Sequence, residues 1–125
     1  MKVEEREPEL VGLSFPKSAR LLTSAEFRRV TGPGRKSVSP YFLLFTTVGE
    51  QGSGPRLGMT VSRKVGNAVV RNRIKRTIRE FFRKNRGQLV PALSCVVIAR
   101  PRAGQTANSE LTQSLTTLFL PYDAS

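Results

Sequence analysis

The residues of this 125-residue chain that are best suited to chemistry are cations gathered in one segment. Residues 63–86 contain ten lysines and arginines, opposed within the segment only by Glu80. They are Arg63, Lys64, Arg71, Arg73, Lys75, Arg76, Arg79, Arg83, Lys84 and Arg86. Such a density of positive charge attracts a polyanion, because each cation can neutralise a phosphate and release its condensed counterions. The segment therefore predicts binding to a nucleic acid.

The charge of the whole chain supports this prediction. The formal net charge is +12. Residues 1–15 hold two basic residues against four glutamates, a net of −2, which leaves +14 for residues 16–125. We interpret residues 1–15 as an acidic flexible extension, residues 16–120 as one basic domain and residues 121–125 as a C-terminal tail.

Side chains for protein catalysis are scarce. The chain has no histidine, and its only aspartate is Asp123. General acid–base catalysis and metal-assisted hydrolysis need histidines or clustered carboxylates, and a zinc site needs several cysteines or histidines. The glutamates are single or lie in residues 1–15, and Cys95 is the lone cysteine. We expect no catalytic residue, no metal site and no cofactor bound by protein side chains alone.

The sequence predicts neither export nor a membrane partner. The longest apolar stretch, residues 41–48, is far shorter than the ~20 residues that span a bilayer. The acidic start differs from a signal peptide, and a lone cysteine cannot form an intrachain disulfide. We expect a cytoplasmic protein.

Periodicity predicts the helix that positions the cations. From residue 68 to about 84, apolar residues recur with the spacing of one helical face. They are Val70, Ile74, Ile78, Phe81 and Phe82. The cations opposite this stripe are Lys75, Arg76, Arg79 and Arg83, with Arg71 and Arg73 beside it. Asn67 fits the N-cap position, so an amphipathic helix with one basic face is predicted.

The remaining elements complete an α+β fold. Thr23 and Glu26 have capping-box spacing and predict a short helix over residues 24–30, with Leu22 and Phe27 in the flanking staple positions. Strands are predicted at 41–48, 56–62 and 94–99, with a further one possible in 35–40. The segment Gly49 to Pro55 is predicted to be a hairpin loop, and a last helix begins near Asn108. The order of helix, strands, long basic helix, strand and helix predicts a small mixed sheet packed with helices, an α/β sandwich.

The stretch from Lys64 to Arg76 resembles the signature of the bacterial ribonuclease P protein family, including its Arg71-Asn72-Arg73 core. It combines a strand end, a turn at Gly66, a helix start and a basic face in the family's order. Residues 22–30 resemble the family's first helix, and residues 98–100 resemble the strand before its last helix. The resemblance covers residues 16–120.

The resemblance implies a fold and an activity. The fold would contain a left-handed βαβ crossover, where the general rule predicts a right-handed one. The activity would be that of a protein subunit that binds the catalytic RNA of ribonuclease P and the 5′ leader of precursor tRNA. It would assist endonucleolytic removal of the leader, while the RNA performs the chemistry with Mg²⁺ and the protein alone is not catalytic. Protein oligomerisation is not indicated.

Two binding surfaces follow from the resemblance. The RNA-binding residues would be Arg63, Lys64, Asn67, Arg71, Asn72, Arg73, Lys75, Arg76 and Arg79. The precursor-tRNA leader cleft, between the first helix and the sheet, would be lined by Phe27, Phe45, Lys64, Ala68, Arg71 and Asn72. Aromatic rings stack on unpaired bases and cations follow the phosphates, so this mixture suits a single strand. Thr31 stands where many relatives have a second aromatic residue.

Other interpretations of the same residues stay open at this point. The basic face could be a solvated helix surface, although Asn72 in mid-helix and charges of a single sign are unusual there. Phe27 could be a staple residue and Phe45 a core residue. The chain could also be a ribosomal or other RNA-binding protein, which copurified RNA would reveal. A DNA-binding regulator would require a dimer seam, and the sequence offers none that is obvious.

Overall fold

The structure is a computed structural model and describes residues 23–49 and 54–123. Its helices and strands are α1 (Ser24–Thr31), β1 (Arg35–Val38), β2 (Phe42–Val48), β3 (Arg56–Thr60), α2 (Ala68–Asn85), β4 (Leu93–Ala99) and α3 (Asn108–Phe119). Short 3₁₀ turns occupy Arg86–Gln88, Pro101–Gln105 and Leu120–Tyr122. This order confirms the predicted α+β class and the extra strand within residues 35–40. The predicted extension over residues 1–15 and the staple residue Leu22 lie outside the described residues.

The four strands form one mixed sheet in the order β1-β2-β4-β3. Strand β2 runs antiparallel to both of its neighbours, whereas β3 and β4 are parallel. Parallel neighbours need a crossover connection, and here α2 provides it. The left-handed sense of this βαβ unit stays a prediction.

The hairpin predicted around residues 49–55 is wrong. β2 and β3 are not paired, because β4 lies between them. Cys95, Val96 and Val97 of β4 are all 0% exposed, so this strand is buried on both faces and takes a central position. Strands β2 and β3 are therefore two strand spacings apart, roughly 10 Å, and are not the two arms of a hairpin.

Helices cover both faces of the sheet. On one face, Leu44, Leu57 and Val97 pack with residues of α2 and α3 in the main hydrophobic core. Alternation along the strands turns Phe45 and Arg56 to the other face. Helix α1 packs there, since its Glu26 forms a 2.9 Å ion pair with Arg56. The result is the predicted sandwich.

The predicted caps fix where α1 and α2 begin. The Glu26 amide donates to Thr23 Oγ1 and the Thr23 amide donates to Glu26 Oε1, both at 3.1 Å. At the start of α2, the Val70 amide donates to Asn67 Oδ1 at 3.0 Å. Each cap contributes about 1 kcal/mol, because it satisfies an amide that has no partner within the helix. Both capping predictions are confirmed.

The apolar stripe of α2 determines how the helix is rotated. Ile74 and Phe82 are 0% exposed. The Phe119 ring of α3 lies 5.2 Å from the Phe81 ring and 6.4 Å from the Phe82 ring, measured between centroids. With this face held against α3 and the sheet, the basic side of α2 is turned away from the core.

Residues after α3 also belong to the packed core. The Thr46 hydroxyl donates to the Tyr122 hydroxyl at 2.7 Å, and this hydrogen bond is buried. The Val90 amide donates to the Tyr122 carbonyl at 2.9 Å. The sequence assigned Tyr122 to a C-terminal tail, but it is only 8% exposed and lies in the core.

Candidate nucleic-acid interface

The basic surface consists of the loop before α2 and the first two-thirds of that helix. Its exposed members are Arg63, Lys64, Asn67, Ala68, Asn72 and Arg76. Its half-buried members are Arg71, Arg73, Lys75 and Arg79. All of these residues were predicted site residues, and the structure gathers them at one end and along one side of α2. We call this set, from Arg63 to Arg79, the α2 basic surface.

Both arginines of the Arg-Asn-Arg core, Arg71 and Arg73, form hydrogen bonds within the protein. Arg71 Nε donates to the Gly66 carbonyl at 3.2 Å. Arg73 donates to the carbonyls of Gly104 at 3.3 Å and Thr106 at 3.1 Å. It also donates to the side-chain oxygen of Asn108. The sequence predicted both arginines as RNA contacts and missed this structural role. The partners of Arg73 lie more than 30 residues along the chain, too far for any local signal.

The two loops at this end of the sheet touch each other. A Cβ placed on Gly104 would lie 2.0 Å from the Val65 carbonyl oxygen, so only glycine permits the approach. Gly66, at φ 158°, is crowded as well, because its Cβ would lie 2.9 Å from the Val70 side chain. The loop before α2 and the loop after β4 are therefore packed as one unit.

Like charges lie above one another on α2. Arg71, Lys75 and Arg79 are spaced four residues apart, so their side chains are neighbours on the helix surface. Burial lowers the pKa of Lys75, and repulsion from Arg71 and Arg79 lowers it further. Phosphate anions beside this column would relieve the repulsion and raise that pKa again.

The part of α2 after Arg79 is less available for an anion. Glu80 accepts from Arg83 in an ion pair of 2.6 Å, and this hydrogen bond holds the pKa of the Glu80 carboxyl below its usual range. Arg76, which lies four residues before Glu80, forms no ion pair among the described residues. The free positive charge thus concentrates toward the start of the helix.

The two predicted cleft aromatics share the other face of the sheet. Phe27 of α1 and Phe45 of β2 are both half-buried. The β1–β2 register sets Lys36 opposite Phe45, and the Lys36 ammonium lies 5.9 Å from the centre of the ring. The Thr31 hydroxyl donates to the Phe27 carbonyl at 3.1 Å, so it is used within α1. Sequence reasoning missed Lys36, because only the strand register brings it to the aromatic ring.

The rest of the predicted cleft lies at the sheet edge. Lys64, Ala68, Arg71 and Asn72 follow the carboxyl end of β3, where α2 begins. Because α2 packs on the face opposite α1, these residues lie beyond the end of β3 and not on the α1 face with the two aromatic rings. The structure thus separates the predicted cleft into an aromatic floor and a basic margin.

The described residues also contain carboxylates and one thiol. Over residues 23–49 and 54–123, no three histidine, cysteine, aspartate or glutamate side chains are placed to hold a metal ion. The Cys95 thiol is fully buried, which raises its pKa, and it donates to the Arg56 carbonyl at 3.2 Å. The helices within the same residues are too short or too polar to cross a membrane.

Comparisons with known proteins show the family of this chain. A sequence model of the family Ribonuclease P matches residues 15–123. The chain belongs to the ribonuclease P protein family. The ribonuclease P protein component of Desulforapulum autotrophicum is 41% identical over 106 residues, which cover 85% of this chain and 90% of that protein. The component from Listeria innocua is 36% identical over 99 residues, covering 79% and 83%.

Solved structures of ribonuclease P proteins have the same fold. The Staphylococcus aureus protein superposes with a TM-score of 0.76 at 34% identity, covering 84% of this chain and 94% of that one. The Thermotoga maritima protein gives a TM-score of 0.73 at 28% identity, covering 83% and 97%. A further S. aureus structure is of a mutant described as defective in mRNA degradation activity. Family membership assigns this chain to tRNA processing as a ribonuclease P protein component and favours it over the ribosomal and DNA-binding alternatives.

Proposed function

We propose that this protein binds the catalytic RNA of ribonuclease P with the α2 basic surface, and that it holds the 5′ leader of precursor tRNA along the α1 face of the sheet. In this way it assists removal of the leader. The observation that carries the proposal is that the α2 basic surface contains only positive charges. Burial of the apolar stripe turns these cations outward, and they include the family's Arg-Asn-Arg signature. The site of action is the bacterial cytoplasm.

The catalytic RNA meets the exposed members of the α2 basic surface. Arg63, Lys64 and Arg76 are exposed and lie on the loop and the outer side of the helix. Each phosphate that they neutralise releases counterions, so binding weakens as salt rises. Asn72 is exposed between Arg71 and Arg73, whose side chains are hydrogen-bonded within the protein. Its side-chain amide can donate and accept hydrogen bonds with a base or a sugar.

The leader lies over the aromatic floor. Phe27 and Phe45 offer ring faces on which unpaired bases stack without sequence preference. Lys36 beside Phe45 supplies a cation for the phosphate of the same strand. Lys64, Ala68, Arg71 and Asn72 border this path, so one strand can pass from the floor to the basic margin.

The chemistry of cleavage belongs to the RNA. The described residues offer no cluster of carboxylates or histidines for Mg²⁺ or for proton transfer. We therefore assign Mg²⁺ to the RNA-containing holoenzyme and assign to the protein the roles of binding substrate and offsetting phosphate repulsion. The net charge of +14 over residues 16–125 suits the second role.

Reconstitution tests the proposal. The protein is mixed with a bacterial ribonuclease P RNA and 5′-labelled precursor tRNA at low Mg²⁺, and leader release is followed by gel. We expect the protein to stimulate cleavage and to bind precursor more tightly than mature tRNA. RNA that copurifies with the protein should be one discrete species. Ribosomal RNA in that fraction, or absence of stimulation, would contradict the proposal.

A further inference from the structure

A second concave surface lies at the edge of the sheet where β1 and β4 end. It is formed by residues other than those assigned above. It is an open depression of about 610 Å³, a volume suited to a small-molecule-sized group. Its walls are Val38, Ser39, Pro40, Arg100, Pro101 and Arg102. None of these residues belongs to the predicted RNA-binding or leader-cleft sets. We call it the Arg100–Arg102 depression.

Two residues that line the depression, Ser39 and Arg100, are held in place by hydrogen bonds. Ser39 Oγ accepts from the amides of Tyr41 at 3.2 Å and Phe42 at 3.0 Å. The Ser114 hydroxyl of α3 donates to the same oxygen at 2.8 Å. Arg100 Nη1 donates to the Ser39 carbonyl at 2.9 Å, which fixes its guanidinium across the depression. The part of the site formed by Ser39 and Arg100 is therefore already ordered before a ligand binds.

Arg102 supplies a charge without a fixed partner. Its side chain is exposed, and within the described residues its guanidinium makes neither a hydrogen bond nor an ion pair. The nearby carboxylate of Glu110 accepts instead from the Tyr41 hydroxyl. Val38, 56% exposed, and the two prolines give the depression an apolar wall. Two guanidinium groups beside an apolar wall suit a ligand with one anionic and one flat apolar part.

The register of the sheet connects the depression to the α2 basic surface. Thr60 of β3 pairs with Ile98 of β4, so Arg63 and Arg100 both follow the ends of adjacent strands. Leu43 also pairs with Ile98, and Val38 pairs with Leu43, which brings the end of β1 to the same edge. From β3 to β1 this edge is three strand spacings wide, roughly 14 Å. Cations thus continue along one edge of the sheet, within reach of a single RNA strand.

We propose that the Arg100–Arg102 depression binds one nucleotide of an unpaired RNA strand. Its phosphate lies between the two guanidiniums, and its base rests against Val38 and the prolines. This inference rests on the proposed function, since it extends the same RNA-binding edge. The strand belongs to the catalytic RNA or to the precursor leader, which share this chemistry.

Charge removal at Arg102 with a matched control tests the inference. Arg102→Gln removes one exposed charge, and Arg102→Lys restores it. Lys84→Gln removes one exposed charge about 24 Å along α2 from its start, away from this edge. Binding is measured across a salt series in two arms: catalytic RNA to free protein, and precursor against mature tRNA to reconstituted holoenzyme. Thermal melting establishes that each variant folds.

We expect Arg102→Gln to weaken binding about tenfold in one arm and to reduce the log–log salt slope by about 0.7 to 1. Arg102→Lys should recover most of the affinity, and Lys84→Gln should resemble the wild type. Loss in the first arm assigns the strand to the catalytic RNA, and loss for precursor alone assigns it to the leader. Equal behaviour of Arg102→Gln and Lys84→Gln in both arms, as an acidic protein ligand would produce, overturns the inference. Wild-type protein that binds neither RNA would instead refute the proposed function.

Discussion

Arg73 donates from Nη2 to the main-chain oxygen of Gly104 at 3.3 Å, and this contact ties the basic helix to the loop that follows β4. Gly104 in turn lies against the Val65 carbonyl, where no side chain would fit. The position of the α2 basic surface relative to the sheet therefore depends on an arginine within that surface.

Replacing Arg73 by alanine should affect both stability and RNA binding. Loss of three charge-assisted hydrogen bonds at a half-buried site should lower the free energy of unfolding by about 1–2 kcal/mol. Urea unfolding measures the first effect, and a salt series with the catalytic RNA measures the second. Arg76→Ala is the matched control, because its exposed side chain should lower RNA affinity without changing stability. Equal unfolding energies for the two variants would contradict the tie to Gly104.

Phe27→Ala should weaken binding of precursor tRNA to the holoenzyme and leave mature tRNA unaffected. Only the precursor carries an unpaired leader, and loss of one stacking contact costs about 1–3 kcal/mol. Equilibrium binding of the two substrates gives the comparison. Phe27→Tyr, which keeps the ring face, should retain the affinity. Equal losses for both substrates would show that Phe27 supports the fold instead.

Protein freed of RNA should not cleave precursor tRNA at any Mg²⁺ concentration. The described residues lack a carboxylate cluster or a histidine for that chemistry. Addition of the cognate RNA should restore cleavage at low salt and low Mg²⁺. Site-specific leader release by the protein alone would overturn the assignment of catalysis to RNA.

Catalytic-RNA binding should take up protons at alkaline pH. Burial and the neighbouring arginines lower the pKa of Lys75 in the free protein, whereas a bound phosphate raises it. Between the two pKa values binding therefore adds a proton, and affinity falls as pH rises. Calorimetry in buffers of different ionisation enthalpy measures this uptake. Lys75→Arg keeps the charge but does not titrate, so the same uptake in that variant would contradict the role of Lys75.

The hydroxyls of Thr46 and Tyr122 should be coupled in stability. Tyr122→Phe leaves the buried Thr46 hydroxyl without its acceptor and should cost about 1–3 kcal/mol. In the double variant with Thr46→Val both polar groups are gone, so the combined cost should be smaller than the sum of the two single changes. Urea unfolding of the four proteins gives the cycle. Strict additivity would show that the hydrogen bond contributes nothing.

Local patterns predicted the helices well. The capping box of Thr23 and Glu26 and the cap at Asn67 are contacts between residues three apart, so the sequence displays them directly. The apolar stripe of α2 has the same local character, because its spacing alone determines one helical face. Because the stripe is buried, most of the predicted cations must point outward from the core, and this could be predicted from the sequence.

Contacts between distant residues could not be predicted in this way. The place of β4 between β2 and β3 depends on which strand is buried on both faces, a property of the assembled sheet. Arg73 finds its partners 31 to 35 residues away, and Lys36 reaches Phe45 only through strand register. The family resemblance supplied the binding surfaces but not the internal hydrogen bonds of Arg71 and Arg73.

The contact of Thr46 with Tyr122 has a consequence for how the domain folds. These two residues are 76 positions apart, and the contacts of Phe119 with Phe81 and Phe82 also join distant parts of the chain. Contacts of such long sequence separation form slowly. The apolar stripe of α2 is therefore completely covered only when α3 and the turn after it have docked, and until then the helix exposes apolar and cationic side chains together.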